Sequence, residues 1–159
     1  MEKTFELKNL KLTMFGGVDC KYQISETSDE GVTTENDYHV KVSRQIHPDL
    51  ENLFAKDLTD IVAHILDNTQ YMTDEELGIK EIYPTAISFA GKNDNIGISI
   101  AGFIQTECGR VTFKTPRIKY LIGESDISAK LTVFADKVVE ETHAYLFDNK
   151  TAELEVFGE

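Results

Sequence analysis

The chain has 159 residues and a formal net charge of -12, from 28 acidic and 16 basic side chains. That length fits a single domain over residues 1–159, and 41% hydrophobic residues are enough to build a buried core. Two cysteines, Cys20 and Cys108, are too few for a disulfide scaffold, so we expect a reduced, cytoplasmic protein. No apolar run of about 18 residues occurs, which predicts no membrane partner. The acidic charge argues against general duplex-DNA binding and mainly favours solubility.

Residues 4–14 predict a first strand, because apolar and polar side chains alternate there, with an irregularity near Lys8 and Asn9. Residues 18–26 predict a second strand of the same kind. The acidic stretch 27–37 is typical of a loop, and residues 38–43 predict a third strand.

A helix is predicted to begin at His47-Pro48-Asp49, since proline and acids are favoured in a first helical turn. Apolar residues then recur at spacings of three and four up to Asp67-Asn68. Residues 71–80 predict a polar connection in which 73–78 form one capped turn.

The second half repeats this plan. Residues 86–89, 96–103 and 110–120 predict strands, with a turn at 91–95. A second amphipathic helix is expected from about Ser125, and residues 152–157 predict a short final strand.

The order of elements predicts an α+β fold, with a largely antiparallel sheet and two long amphipathic helices packed on one face. Three strands and a helix occur twice, so residues 1–80 and 81–159 are candidates for two β-β-β-α halves. Chance similarity between amphipathic helices explains the same pattern, and the two readings stay open.

No catalytic signature is present. Asp60 with His64, and Glu140 with His143, have helical spacings that suit one metal ion, but such pairs are common on acidic helices. We therefore predict no metal site, no catalytic residue and no cofactor, and favour a protein that is not an enzyme.

Two segments run against the average charge. Residues 110–120 carry four cations and no acid, and residues 38–48 carry two more together with His39 and His47. If the segments lie together, they form a basic stripe of the kind that binds single-stranded nucleic acid; otherwise they are the solvent face of strands. The cations are Lys41, Arg44, Arg110, Lys114, Arg117 and Lys119.

Four short segments carry a resemblance. His47-Pro48-Asp49-Leu50, Gly102-Phe103, Thr115-Pro116-Arg117-Ile118 and the stretch from Glu140-Glu141 to Lys150 resemble small accessory proteins of bacteriophage genomes. Some of those proteins lie among replication and recombination genes, and their functional residues are not defined. The resemblance implies a small cytoplasmic protein that acts on DNA metabolism or on a host factor.

Three functions follow from these patterns. The first is an accessory or inhibitor protein that binds a protein partner through a sheet edge or an acidic helix surface. The second is a single-stranded nucleic-acid binding module that uses the basic stripe, and the third is a small-molecule pocket between sheet and helices. A homodimer is a further expectation for an exposed sheet edge. The residues predicted for acidic docking are Asp57, Asp60, Glu140 and Glu141.

Overall fold

In the computed structural model, which describes residues 2–14, 16–69, 79–91, 95–120 and 126–151, the strands form one antiparallel sheet. The strands are β1 (Glu2–Leu12), β2 (Val18–Thr27), β3 (Thr33–Val42), β4 (Ile79–Ala90), β5 (Gly97–Thr106), β6 (Gly109–Lys114) and β7 (Ile118–Lys119). Their order is β3-β2-β1-β4-β5-β6, and β7 pairs with β5 beyond the end of β6. The predicted α+β class with an antiparallel sheet is confirmed.

The first three strands follow the sequence pattern except at β3. The irregularity expected near Lys8 is a register shift between Leu7 and Asn9. β3 begins at Thr33, so the loop predicted over 27–37 is wrong in its second half. Residues 33–39 are exposed polar residues on an edge strand, where no alternation of buried and exposed side chains marks the strand.

The first helical stretch begins where predicted, at Pro48. His47 caps it by accepting a hydrogen bond from the Asp49 amide at 3.0 Å. The stretch consists of α1 (Pro48–Asn52), a π-helical segment (Leu53–Leu58) and α2 (Thr59–Thr69).

The prediction of two long helices therefore needs a correction, because the first stretch contains a wide π turn. The Thr59 hydroxyl donates to the carbonyl of Phe54, five residues earlier, at 3.2 Å. The buried residues of this stretch, Phe54, Leu58 and Ile61, still recur at spacings of four and three, so the sequence pattern does not reveal the π turn. The second helix, α3 (Asp126–Phe147), is continuous over 22 residues.

The second half differs from the predictions in two places. β4 extends back to Ile79, although it contains Pro84, because the strand has a bulge directly after that proline. The strand predicted over 110–120 is divided into β6 and β7 by Thr115-Pro116-Arg117. Thr115 is held against β5, where its hydroxyl accepts a hydrogen bond from the Ile100 amide at 2.9 Å.

One buried cluster joins the two helical stretches to the sheet. The π-helical segment and α2 contact β4, and α3 contacts β1 and the first helical stretch. The most deeply buried side chains of the cluster include Leu10, Leu58, Ile87, Ile100, Leu131, Phe134, Val138 and Tyr145. The capped turn predicted over 73–78 and the strand predicted over 152–157 lie outside the described residues.

β1 and β4 lie side by side at the centre of the sheet, where Asn9, Leu10 and Lys11 pair with Ser88, Ile87 and Ala86. Each half of the chain thus contributes its first strand to the centre and its third strand to an edge. The second half adds β7, and its duplication of the first half stays a prediction.

Candidate functional site

One face of the sheet lines the core, and the other face is open. In the first half, Leu10 pairs with Cys20 and Cys20 with Val40, and these side chains lie in or against the core. Side chains alternate along a strand, so their neighbours project from the open face. One open row is Lys11-Asp19-Lys41, and the next is Asn9-Lys21-His39.

The second half continues both rows with small residues. Ala86 follows Lys11 across the central pair, then Ala101 on β5 and Lys114 on β6. Ser88 follows Asn9, and Ser99 follows Ser88. The middle of the open face is therefore a floor of small side chains with cations on both sides.

These residues form a groove of about 360 Å³, which we call the basic groove. Lys11 on β1 forms one wall of the basic groove, and Lys114 on β6 forms the other. Because β6 is the third strand from β1 in the sheet, the two walls are about 14 Å apart. The groove is lined by Asn9, Leu10, Lys11, Asp19, Lys21, His39, Ala86, Ile87, Ser88, Ser99, Ala101 and Lys114.

Arg117 and Lys119 extend the basic groove along β5. Lys119 pairs with Gly97, two residues before Ser99 on the same face. A Cβ atom on Gly97 would stand 2.5 Å from the Arg117 Cγ and 2.9 Å from the Ile118 carbonyl oxygen. Gly97 is thus the residue that lets the Arg117 side chain lie directly over the sheet.

Asp19 is the single acid among the residues that line the basic groove, and it is already engaged. The Nε2 atom of His39 lies 2.6 Å from the Asp19 Oδ1. By contrast, no carboxylate of the described chain forms an ion pair with Lys11, Lys21, Lys41, Lys114 or Arg117. Within the described residues, the charges of these five side chains are therefore available to a ligand.

Acidic residues bound the basic groove at one end. Glu6, Gln23 and Asp37 form the next row along β1, β2 and β3. Glu6 forms a 3.0 Å ion pair with Lys8, and Asp37 accepts a hydrogen bond from the Gln23 amide. An anionic ligand is therefore disfavoured at this end and favoured toward Lys114 and Arg117.

Of the six cations predicted for the basic stripe, five lie on the open face and Arg44 does not. Lys41, Lys114, Arg117 and Lys119 are in or beside the basic groove, and Arg110 lies farther along β6. Arg44 follows β3 and is held by α3 and the residues after it. Its guanidinium donates to the Asn149 side chain and its carbonyl accepts from the Tyr145 hydroxyl.

The four acids predicted for docking lie on the helical side of the molecule. Asp57 and Asp60 line a groove of about 550 Å³ between the helical stretches, together with Lys56, Lys130 and Lys137. Asp60 forms a 2.9 Å ion pair with Lys130, and this contact lowers the pKa of the Asp60 carboxyl. This surface therefore has mixed charge.

Glu140 and Glu141 lie in a neighbouring cleft that also contains Lys137. Glu141 is engaged as well, because Lys150 contacts it and Asp49, each at 2.8 Å. The hydrogen bond from Lys150 lowers the pKa of the Asp49 carboxyl. Two of the four predicted acids, Asp60 and Glu141, are thus paired with lysines.

Over the described ranges, no group of three or more His, Cys, Asp or Glu side chains is arranged to hold a metal ion. His143 instead packs its ring against Phe5 and Phe147, with centroid distances of 5.2 and 4.9 Å. Cys20 is buried, and burial raises the pKa of its thiol to about 12, whereas Cys108 is exposed.

Sequence reasoning missed Lys11 and Lys21, which lie in strands with mixed charge. Their positions on the face opposite Leu10 and Cys20 follow from alternation, but their proximity to Lys114 requires the pairing of β1 with β4. No local signal specifies that pairing.

No protein-family model matches the chain, and searches of curated proteins and of solved structures gave no match. In the part of the chain that the structure describes, no helix is long and apolar enough to cross a membrane.

Proposed function

We propose that the protein binds single-stranded nucleic acid in the basic groove. The proposal rests on a concentration of cations on one sheet face of a chain whose formal charge is -12, and these cations have no ion-pair partner in the described part of the chain. Like charges held together repel one another, and a polyanion removes that repulsion and releases its own counterions. The five cations are Lys11, Lys21, Lys41, Lys114 and Arg117.

The small residues of the floor favour an extended strand as the ligand. Small side chains cover the middle of the open face, so a chain of nucleotides can approach the sheet backbone closely. They belong to Ala86, Ser88, Ser99 and Ala101. Cations on both walls then follow the phosphates. Open sheet faces with basic and aromatic side chains are a recurring surface for unpaired strands.

The proposed binding agrees with the resemblance to phage accessory proteins that lie among replication and recombination genes. On that reading the protein acts on single strands formed during phage DNA metabolism. The helical surface has mixed charge, and two of its carboxylates, Asp60 and Glu141, already have lysine partners, which disfavours docking of a basic partner there.

The experiment is fluorescence anisotropy of a labelled single-stranded oligonucleotide, titrated with wild-type protein from low to physiological salt. The test variant is Lys114→Glu/Arg117→Glu on the open face. Its matched control is Lys130→Glu/Lys137→Glu, which changes the net charge equally on the helical side.

We expect saturable, salt-sensitive binding by the wild type and the control, and loss of binding in the test variant. Equal loss in both variants would mean that net charge, not the basic groove, controls binding. Absence of wild-type binding at low salt would refute the proposal. Circular dichroism establishes that each variant is folded.

A second candidate function is binding of a protein partner at the free edge of β3. Among the described strands, β3 pairs only with β2, over ten residues and without a register shift. It contains no proline and no bulge, which are two of the features that protect an edge, and its charged residues Glu35, Asp37 and Lys41 would select the partner strand. Replacement of an exposed edge residue, Asn36→Pro, would abolish complexes formed by strand addition while leaving oligonucleotide binding intact.

A further inference from the structure

Three side chains form a layered cluster on the open face. Tyr83 on β4 stacks against Phe103 on β5, with ring centroids 4.9 Å apart and an angle of 28° between the planes. The guanidinium carbon of Arg110 on β6 lies 4.3 Å from the centre of the Phe103 ring. Phe103 is therefore covered by a neighbour from each adjacent strand.

The cluster continues the rows of the basic groove. Phe103 is two residues after Ala101 on the same face, which places it about 7 Å farther along β5. Arg110 is four residues before Lys114, about 13 Å away along β6. A strand that follows the Lys114 wall therefore reaches the aromatic cluster within a few nucleotides.

Tyr83 is the exposed aromatic ring of the cluster, whereas Phe103 is half-buried. The relative exposure of Tyr83 is 40%, and Phe103 is the one aromatic ring that contacts it among the residues described. The pairing of β1 with β4 ends at Ala86, before Tyr83 is reached. Phe103 therefore supports the Tyr83 ring on the β5 side. On the opposite side, β1 has ended its pairing with β4 before it reaches Tyr83.

We propose that Tyr83 stacks on an unpaired nucleobase, and that Phe103 and Arg110 are positioning residues for its ring. This inference rests on the proposed function, because the basic groove would hold the phosphates of the same strand. It adds that the site takes a base-bearing single strand and not any polyanion. Aromatic rings tolerate every base, so we expect weak sequence preference.

The alternative explanation is that Tyr83 and Phe103 are a cross-strand pair that stabilises the sheet. The two explanations differ in whether the ligand needs bases. The experiment compares a thymidine oligonucleotide with an abasic-spacer oligonucleotide of the same length, both labelled and measured by anisotropy at one salt concentration. The proteins are the wild type, Tyr83→Phe, which keeps the aromatic face, and Tyr83→Leu, which keeps apolar bulk.

We expect the wild type and Tyr83→Phe to bind the thymidine oligonucleotide about 5- to 150-fold more tightly than the abasic one. Tyr83→Leu should lose most of this preference while binding the abasic oligonucleotide as the wild type does. An equal affinity of the wild type for both oligonucleotides would overturn the inference, and so would a preference that survives in Tyr83→Leu. Either result leaves phosphate binding in the basic groove standing, whereas failure to bind both oligonucleotides at low salt refutes the proposed function itself.

Discussion

Neutralising one lysine on each wall of the basic groove gives a quantitative test. Lys21 and Lys114 are exposed, and neither has an ion-pair partner in the described part of the chain. Replacement by glutamine keeps much of the side-chain length and removes the charge. The control is Lys56→Gln, which makes the same change in net charge on the helical side.

The expected magnitude follows from counterion release. Each phosphate contact on a single strand contributes about 0.7 to the slope of log affinity against log salt, so contacts from all five cations give a slope of about -3.5. Losing one contact weakens binding about 5-fold at 0.1 M salt, and losing two weakens it about 25-fold. The slope should become less negative by about 0.7 for each lysine removed.

The assay is anisotropy of a labelled thymidine oligonucleotide at several sodium chloride concentrations. The Lys21→Gln and Lys114→Gln variants should each show the smaller slope, and the Lys56→Gln variant should match the wild type. If Lys56→Gln weakens binding as much as Lys21→Gln and Lys114→Gln do, the overall charge of the protein explains the affinity, and specific contacts in the basic groove do not. If the slopes of all variants equal that of the wild type, these lysines do not contact phosphates.

Four further predictions concern individual residues. Gly97→Ala should weaken oligonucleotide binding several-fold, because the added methyl group would displace the Arg117 side chain. A double-mutant cycle with Arg117→Gln tests this. Additive losses in the cycle would show that Gly97 does not act through Arg117. At pH 8, one thiol of the native protein should react with a disulfide reagent, and two should react after unfolding. Cys108 is exposed and should react. Burial, and secondarily the Asp19 charge, raises the pKa of the Cys20 thiol to about 12, so Cys20 should not react in the native protein. Because the pKa of Cys20 is raised to about 12 in the folded protein, its neutral thiol stabilises the fold below about pH 9, and this stability is lost as the pH rises toward 12. The urea concentration at the midpoint of unfolding should therefore fall over that pH range. It should fall by less in the Cys20→Ala variant. Phe134→Ala should lower the free energy of unfolding by about 3 to 5 kcal/mol, because the ring is buried between the helical stretches and the sheet; a loss below about 1 kcal/mol in urea denaturation would show that Phe134 is not in the core.

The fold class was predictable because apolar alternation and helical spacing directly record which side chains are buried. Leu10, Cys20 and Val40 occupy the core side of their strands as their alternation indicates. The first half of β3 was not predictable from such a pattern, since both faces of an exposed edge strand tolerate polar residues. The π-helical segment escaped prediction because its buried residues Phe54 and Leu58, with Ile61 after them, stand four and three apart as in an ordinary α-helix.

The candidate site was predictable at Lys41 and in the second half of the chain. Arg110, Lys114, Arg117 and Lys119 form a local cluster in the sequence, and they share the open face of adjacent strands. The opposite wall depends on strand order, which places β1 between β2 and β4 and brings Lys11 and Lys21 toward Lys114. Arg44 was predicted wrongly because it is close to Lys41 in the sequence but does not lie on the open face of the sheet. It contacts Asn149 and Tyr145 instead.

The most direct test of the central claim is an NMR titration of 15N-labelled protein with an unlabelled single-stranded thymidine oligonucleotide. We predict that amide resonances of Ser88, Ser99 and Ala101, on the floor of the basic groove, shift with added oligonucleotide. Resonances of Ala129 and Val133, on the exposed side of α3, should stay in place. Shifts confined to α3, or no shifts at low salt, would contradict the assignment of nucleic-acid binding to the open face of the sheet.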